Sequence, residues 1–184
     1  MQKGIRYTIF KTRWGYFGLA GGEEGLLRTC LPMTRRGDVK CRLLRGLGDV
    51  RFENGVFRDL QGEISAYFDG VYINFGRDIP VALACPERSR RDGFSAFGRG
   101  VLMVCRDITY GNRKSYGEVA EMIGKAGAGR AVGGVLAKNP LPLIIPCHRV
   151  ICANGRLGGF SAAGGISYKR RLLGLEGETL QNVA

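Results

Sequence analysis

The sequence predicts an α+β protein: a small mixed layer of strands and helices over residues 1–86, a linker at 87–93, and a mostly helical half over 94–184. Three observations carry this. Apolar and polar residues alternate through the first thirty or so positions, the period of half-buried strands. Pro86 to Gly93 is polar and basic, with no large apolar residue, as linkers are. Beyond it, two amphipathic helices joined by a glycine-containing turn give a helix-turn-helix pattern.

Composition narrows the classes. With 184 residues, 45% of them hydrophobic and 9% aromatic, the chain can build real cores and is not disordered. No apolar run approaches the roughly 20 residues of a membrane span. Met1 to Tyr7 shows no signal-peptide pattern, so a cytoplasmic setting is expected. There the six cysteines (Cys30, Cys41, Cys85, Cys105, Cys147 and Cys152) would stay reduced. They form no C-x-x-C pair, and the chain has one histidine, so neither a metal nor another cofactor is expected. A net charge of +12 asks for a polyanionic partner, most simply nucleic acid.

The elements follow in order. Ile5, Tyr7 and Ile9 alternate with Arg6 and Thr8 as a strand. Trp14, Tyr16 and Phe17 open a second, Gly21 to Gly25 turns the chain, and Leu26 to Leu31 returns as a third, making a meander. Val39, Leu43, Leu44 and Leu47, set among Arg35, Arg36, Lys40, Arg42 and Arg45, form an amphipathic basic helix whose charges face solvent. Phe57, Leu60, Ile64, Tyr67 and Phe68 fit a second helix, and Val71 to Phe75 alternates as a strand. The acidic residues of this half show no spacing that demands a metal. In the second half Ser95 caps a helix carrying Phe97, Val101, Val104, Cys105 and Ile108. Ser115 and Glu118 form a capping box that opens the next helix. The following helix runs from Arg130 to Lys138 and buries Val132, Val135 and Leu136. A last helix runs from Ile166 to Leu173.

Two features point to chemistry. Cys147 stands directly before His148, the only histidine, between the apolar runs Leu143-Ile144-Ile145 and Val150-Ile151. On a strand the two side chains would point apart, but Pro146 favours a tight turn instead. A free thiol is a poor nucleophile at neutral pH, and His148 or Arg149 can raise its thiolate fraction. Glu176 is a candidate to orient His148, although a glutamate at that position serves equally well as surface charge. The second feature is the outer face of the 130–138 helix. Arg130, Gly134, Ala137 and Lys138 make it small and basic, unlike the long polar faces that read a major groove. Gly133 and Gly134 each cost about 1 kcal/mol relative to alanine. Such a face suits close approach to a narrow groove or tight packing within the protein. The glycine-rich stretch Asn154 to Gly165 suits the wall of a pocket for a flat ligand.

These residues carry a resemblance. Ser115-Tyr116-Gly117-Glu118-Val119-Ala120, Gly129-Arg130-Ala131-Val132-Gly133-Gly134, Asn139-Pro140 and Ile145-Pro146-Cys147-His148-Arg149-Val150 resemble the O6-alkylguanine-DNA alkyltransferase family, over about Phe94 to Glu178. The first half is loosely similar to that family's ribonuclease-H-like domain, and the second half would be its winged helix-turn-helix domain. The resemblance implies irreversible, single-use transfer of an alkyl group from O6-alkylguanine in double-stranded DNA to Cys147, with O4-alkylthymine a second candidate. It implies a monomer. His148 would act as base through a water, Glu176 would orient it, and Asn139 would hold the turn before the cysteine. Arg130 would replace the flipped nucleotide in the stack, beside Ala131, Gly133 and Gly134 on the DNA. Tyr116 would crowd the phosphate, rotate the base outward and donate a proton to the leaving guanine. Ser161, Lys169, Phe160 and Leu136 would line the pocket. Phe160 stands where a tyrosine is frequent, and the loop Ala162 to Gly165 is longer than usual. The alternative is a non-catalytic helix-turn-helix protein that binds alkylated or undamaged DNA and has an incidental thiol.

Overall fold

The structure, a computed structural model, describes residues 4–76, 78–83 and 94–183. The expected linker at 87–93 and Cys85 lie outside the described residues.

The meander forms as the alternation predicts. β1 (Ile5–Thr12), β2 (Gly15–Gly22) and β3 (Gly25–Met33) pair antiparallel in sequence, with Glu23-Glu24 as the second turn. Trp14 lies in the first turn rather than on a strand. α1 (Arg36–Leu44) follows, and β4 (Val50–Phe52) then adds parallel to β1, giving the order β3-β2-β1-β4. β4 has no alternating apolar pattern, being three residues long with Arg51 and Phe52 exposed, so the sequence did not announce it. α2 is Arg58–Phe68. The two helices cover opposite faces of the sheet. Val39 and Leu43 of α1 pack on Tyr7, Ile9, Ala20 and Cys30, while Leu60, Ile64, Tyr67 and Phe68 of α2 join Phe17, Leu19 and Leu31. Gly18 lets α1 lie close, because a Cβ there would stand 2.8 Å from Val39 Cγ1.

Residues 71–75, expected as a strand, are not one. Gly70 takes a φ of 92° and turns the chain away, and the segment is held by side chains: Asn74 Oδ1 accepts from the Tyr110 amide, and Phe75 packs on Tyr67. Residues 80–82 instead bridge to the edge of β3 through Leu26.

The helical half opens with α3 (Ala96–Arg106), capped by Ser95, whose hydroxyl accepts from the Gly98 amide. β5 (Lys114–Ser115) leads into α4 (Tyr116–Met122), where Ser115 and Glu118 close the expected capping box. α5 (Gly129–Leu136) follows. β6 (Val150–Ile151) pairs parallel with β5. The last helix, α6 (Gly165–Val183), is longer than the sequence suggested. Residues 143–145 are buried as expected but are not a strand; Leu143 has a φ of 82°, and Ile145 donates to the Leu141 carbonyl.

The main apolar core is continuous between the halves, running from Phe17 and Tyr67 to Val101, Val132, Ile145 and Leu172. Hydrogen bonds reinforce it where the chain approaches Cys147. The Thr29 amide donates to the Pro140 carbonyl and the Thr29 hydroxyl to the Pro142 carbonyl, pinning that loop to β3.

Candidate active site

Pro146 makes the tight turn. Its φ of −80° and ψ of 64° are those of an inverse γ-turn, and the Cys147 amide donates back to the Ile145 carbonyl at 2.8 Å. Cys147–Arg149 then forms one turn of 3-10 helix. Asn139 braces this bend from the side: its Nδ2 donates to the Ile145 carbonyl at 2.8 Å, and its Oδ1 accepts from the Leu141 amide at 3.0 Å.

The turn sends neighbouring side chains to different places. Cys147 reaches the wall of a cavity of about 720 Å³. Tyr116, Arg130 and Gly133 lie on one side of it, Leu136 and Ala137 are at its base, and Gly158, Phe160 and Ser161 are on the other side. Arg130 is exposed, Tyr116 and Phe160 are half-buried, and Leu136 is buried. Gly158 is needed where it stands: its φ is 69°, and a Cβ would lie 2.8 Å from the Tyr116 hydroxyl. Ala131 and Gly134 are exposed on α5 and are not on this wall.

His148 points inward. Its Nε2 lies 2.9 Å from Glu176 Oε1, and both residues are only 1% exposed. Glu176 is therefore no surface charge. Arg149 donates to it from Nε and Nη2, Tyr67 donates its hydroxyl at 2.9 Å, and the Gly111 amide donates at 3.3 Å. Burial opposes ionisation of Glu176, but hydrogen bonds and charge from His148 and Arg149 hold its carboxyl at about 2. Burial lowers the His148 pKa despite that carboxylate, so the ring is neutral at neutral pH. A carboxylate only accepts, so the neutral ring carries its proton on Nε2 and keeps the Nδ1 lone pair.

Burial raises the Cys147 pKa, opposed by a hydrogen bond from Asn139 and the charge of Lys169. Lys169 is fully buried behind the wall rather than on it, as the pocket assignment had it. Its Nζ donates to the Val150 carbonyl at 2.6 Å and lies 5.7 Å from the Tyr116 ring centroid.

The residues 96–178 match the family model of the 6-O-methylguanine DNA methyltransferase DNA-binding domain. A methylated-DNA–protein-cysteine methyltransferase of Methanosarcina acetivorans is 38% identical over 172 residues, 93% of this chain and 97% of that protein. The chain belongs to the methylated-DNA–protein-cysteine methyltransferase family. The Cricetulus griseus methyltransferase is 35% identical over 94% of this chain and 82% of its own length. A crystal structure of Mycobacterium tuberculosis OGT in complex with DNA superposes with a TM-score of 0.73 at 32% identity, covering 95% of this chain and 94% of that one.

Three parts of this methyltransferase site escaped sequence reasoning. Arg149 was weighed only as a charge near the thiol, yet it grips Glu176 and donates to the Ile108 carbonyl. Tyr67 looked like one more apolar position of α2. Arg42 was assigned to a solvent face, yet its Nη2 donates to the Ser161 carbonyl at 2.8 Å and ties α1 to the pocket loop of the methyltransferase. A run of basic residues on one helix carries no signal that singles out Arg42.

Proposed function

We propose that the protein repairs DNA by moving the alkyl group of an O6-alkylguanine irreversibly onto Cys147, each molecule acting once. The observation that carries this is the placement of the thiol: Cys147 lies in the wall of the cavity that Tyr116 and Arg130 border, one residue from an imidazole fixed by Glu176. The base must leave the helix to reach it, because O6 inside a duplex is out of reach of a buried sulfur, and unstacking costs a few kcal/mol. Arg130 fills the vacated stack, and the small face of Ala131, Gly133 and Gly134 admits the backbone. Tyr116 crowds the phosphate and gives the leaving guanine its proton.

A buried thiol with a raised pKa needs a base. His148 Nδ1 takes the Cys147 proton through a water, Glu176 stabilises the imidazolium that forms, and Asn139 and Lys169 favour the thiolate. One chain supplies every group named, so the monomer is the working unit. In the same reading, residues 1–86 are a ribonuclease-H-like domain and 94–184 a winged helix-turn-helix domain, supported by the order β3-β2-β1-β4 and by the β5–β6 pair beside α4 and α5. The five described cysteines are free, which suits a cytoplasmic setting.

The test is intact-protein mass spectrometry after incubation with a duplex carrying O6-methylguanine. The expected gain is one methyl group, mapped to Cys147 and stopping at one equivalent. Cys147→Ser should still bind the duplex and gain nothing. Binding without any mass change in the unaltered protein would make it a damage-binding module instead.

A further inference from the structure

The Cys147 side chain borders a second cavity, of about 490 Å³, on the far side of the pocket loop. The two cavities share Ala137, Cys147, Phe160 and Ser161, so they meet at the thiol. Their linings differ in charge. The second is bordered by Arg28, Arg42, Arg45 and Lys138 and by no acidic residue. Arg42 is engaged with the Ser161 carbonyl, and Arg28 with the Leu43 and Arg45 carbonyls. The side chains of Arg45 and Lys138 make no hydrogen bond or ion pair among the described residues, and both are exposed. The cavity therefore presents two uncommitted cations to whatever extends past the sulfur.

We propose that this second cavity receives the distal end of the group being transferred, and that it favours O6-substituents ending in an anion, with O6-carboxymethylguanine as the smallest such substrate. This rests on Cys147 being the alkyl acceptor. The chemistry is one displacement. Sγ attacks the methylene carbon, the S–C bond forms and the C–O6 bond breaks. The guanine leaves with that electron pair and takes up one proton, and the thiol loses one. The carboxylate is untouched and ends on the S-carboxymethyl side chain, facing Arg45 and Lys138. A methyl group is too short to enter the cavity, so its transfer does not depend on either cation.

The experiment compares three duplexes, carrying O6-methylguanine, O6-carboxymethylguanine and its neutral isostere O6-carbamoylmethylguanine. Adduct formation on Cys147 is timed by mass spectrometry in the unaltered protein and in Arg45→Gln/Lys138→Gln. The expected result is transfer of all three groups, with the carboxymethyl-to-carbamoylmethyl rate ratio about fivefold lower in the double variant, the size of a screened charge pair. Methyl transfer and duplex affinity should be unchanged. An unchanged ratio, or no carboxymethyl transfer where methyl transfer proceeds, overturns the inference. So does a joint loss of methyl transfer and duplex affinity in the variant, which would mean that the two cations hold DNA phosphate. Failure of methyl transfer in the unaltered protein would instead sink the alkyl-acceptor role, and this inference with it.

Discussion

The Tyr67 hydroxyl donates a hydrogen bond to Glu176 Oε1 at 2.9 Å, joining α2 to α6 across 109 positions of sequence. The same oxygen accepts from His148 and Arg149. Removing the carboxylate charge leaves Arg149 buried beside a neutral amide, and breaking a buried pair in this way costs about 3–5 kcal/mol. Removing only the Tyr67 hydroxyl costs about 1–2 kcal/mol. Glu176→Gln should thus destabilise the fold far more than Tyr67→Phe, as read by urea denaturation. Equal losses would mean that the Arg149–Glu176 contact adds little.

Acid should act through the same cluster. A carboxyl whose folded pKa is depressed contributes stability that is fully present above its unfolded value and lost as pH falls through the folded one. For Glu176 that window runs from 4.5 down to about 2. His148 acts in the same direction, because burial lowers its folded pKa and the unfolded ring takes up a proton first, near 6.5. Urea midpoints should begin to fall below pH 6.5 and continue falling from 4.5 to 2. A flat profile over the lower window would show that Glu176 is not held ionised.

Burial raises the Cys147 pKa above its ordinary 9.0, with Asn139 and Lys169 pulling the other way. Its reaction with iodoacetamide should keep accelerating above pH 9. Lys169→Met should move the profile further up, since it removes the nearby cation. A rate that levels off below pH 9 would mean a thiolate stabilised by something other than these two residues.

Gly134 is exposed on α5, and a Cβ there would meet nothing within 4 Å. At Gly133 the Cβ would touch only the Tyr116 ring at 3.7 Å, an ordinary contact. Packing within the protein therefore does not demand these glycines. Gly134→Ala should stabilise the helix by about 1 kcal/mol and weaken binding to duplex DNA. A rise in melting temperature with unchanged duplex affinity would remove this face from the interface.

Arg130→Ala should slow transfer from a paired O6-alkylguanine about tenfold while leaving transfer from the free base within about twofold, because only the first requires unstacking. Single-turnover rates on the two substrates decide it; equal losses would count against a role in the stack.

How far these groups could be read from the chain depended on how local their causes are. Ser115 and Glu118 lie three residues apart, so the capping box was visible, as were the meander and the turn that Pro146 imposes. The surroundings of Glu176 were not visible, because its partners come from α2, from Gly111 and from the turn at 147–149, and no local pattern encodes such a meeting. The segment 71–75 failed in the opposite way. Its alternation was real, but Gly70 and the Asn74–Tyr110 hydrogen bond took the backbone out of the sheet. Cys147 and His148 were found because they are adjacent, and Arg42 was missed because its target, Ser161, is 119 positions away.

The long reach from Tyr67 to Glu176 also sets a schedule. A ribosome releases the first sheet, then the helix-turn-helix, then Cys147, and only afterwards Glu176. Contacts of large sequence separation form late, once the intervening loops have closed. A nascent chain that already displays Cys147 has an imidazole with no fixed tautomer and an Arg149 with no counter-charge. The sulfur gains its base only when α6 docks, so a protein that spends itself in one reaction is armed by the last step of its own folding.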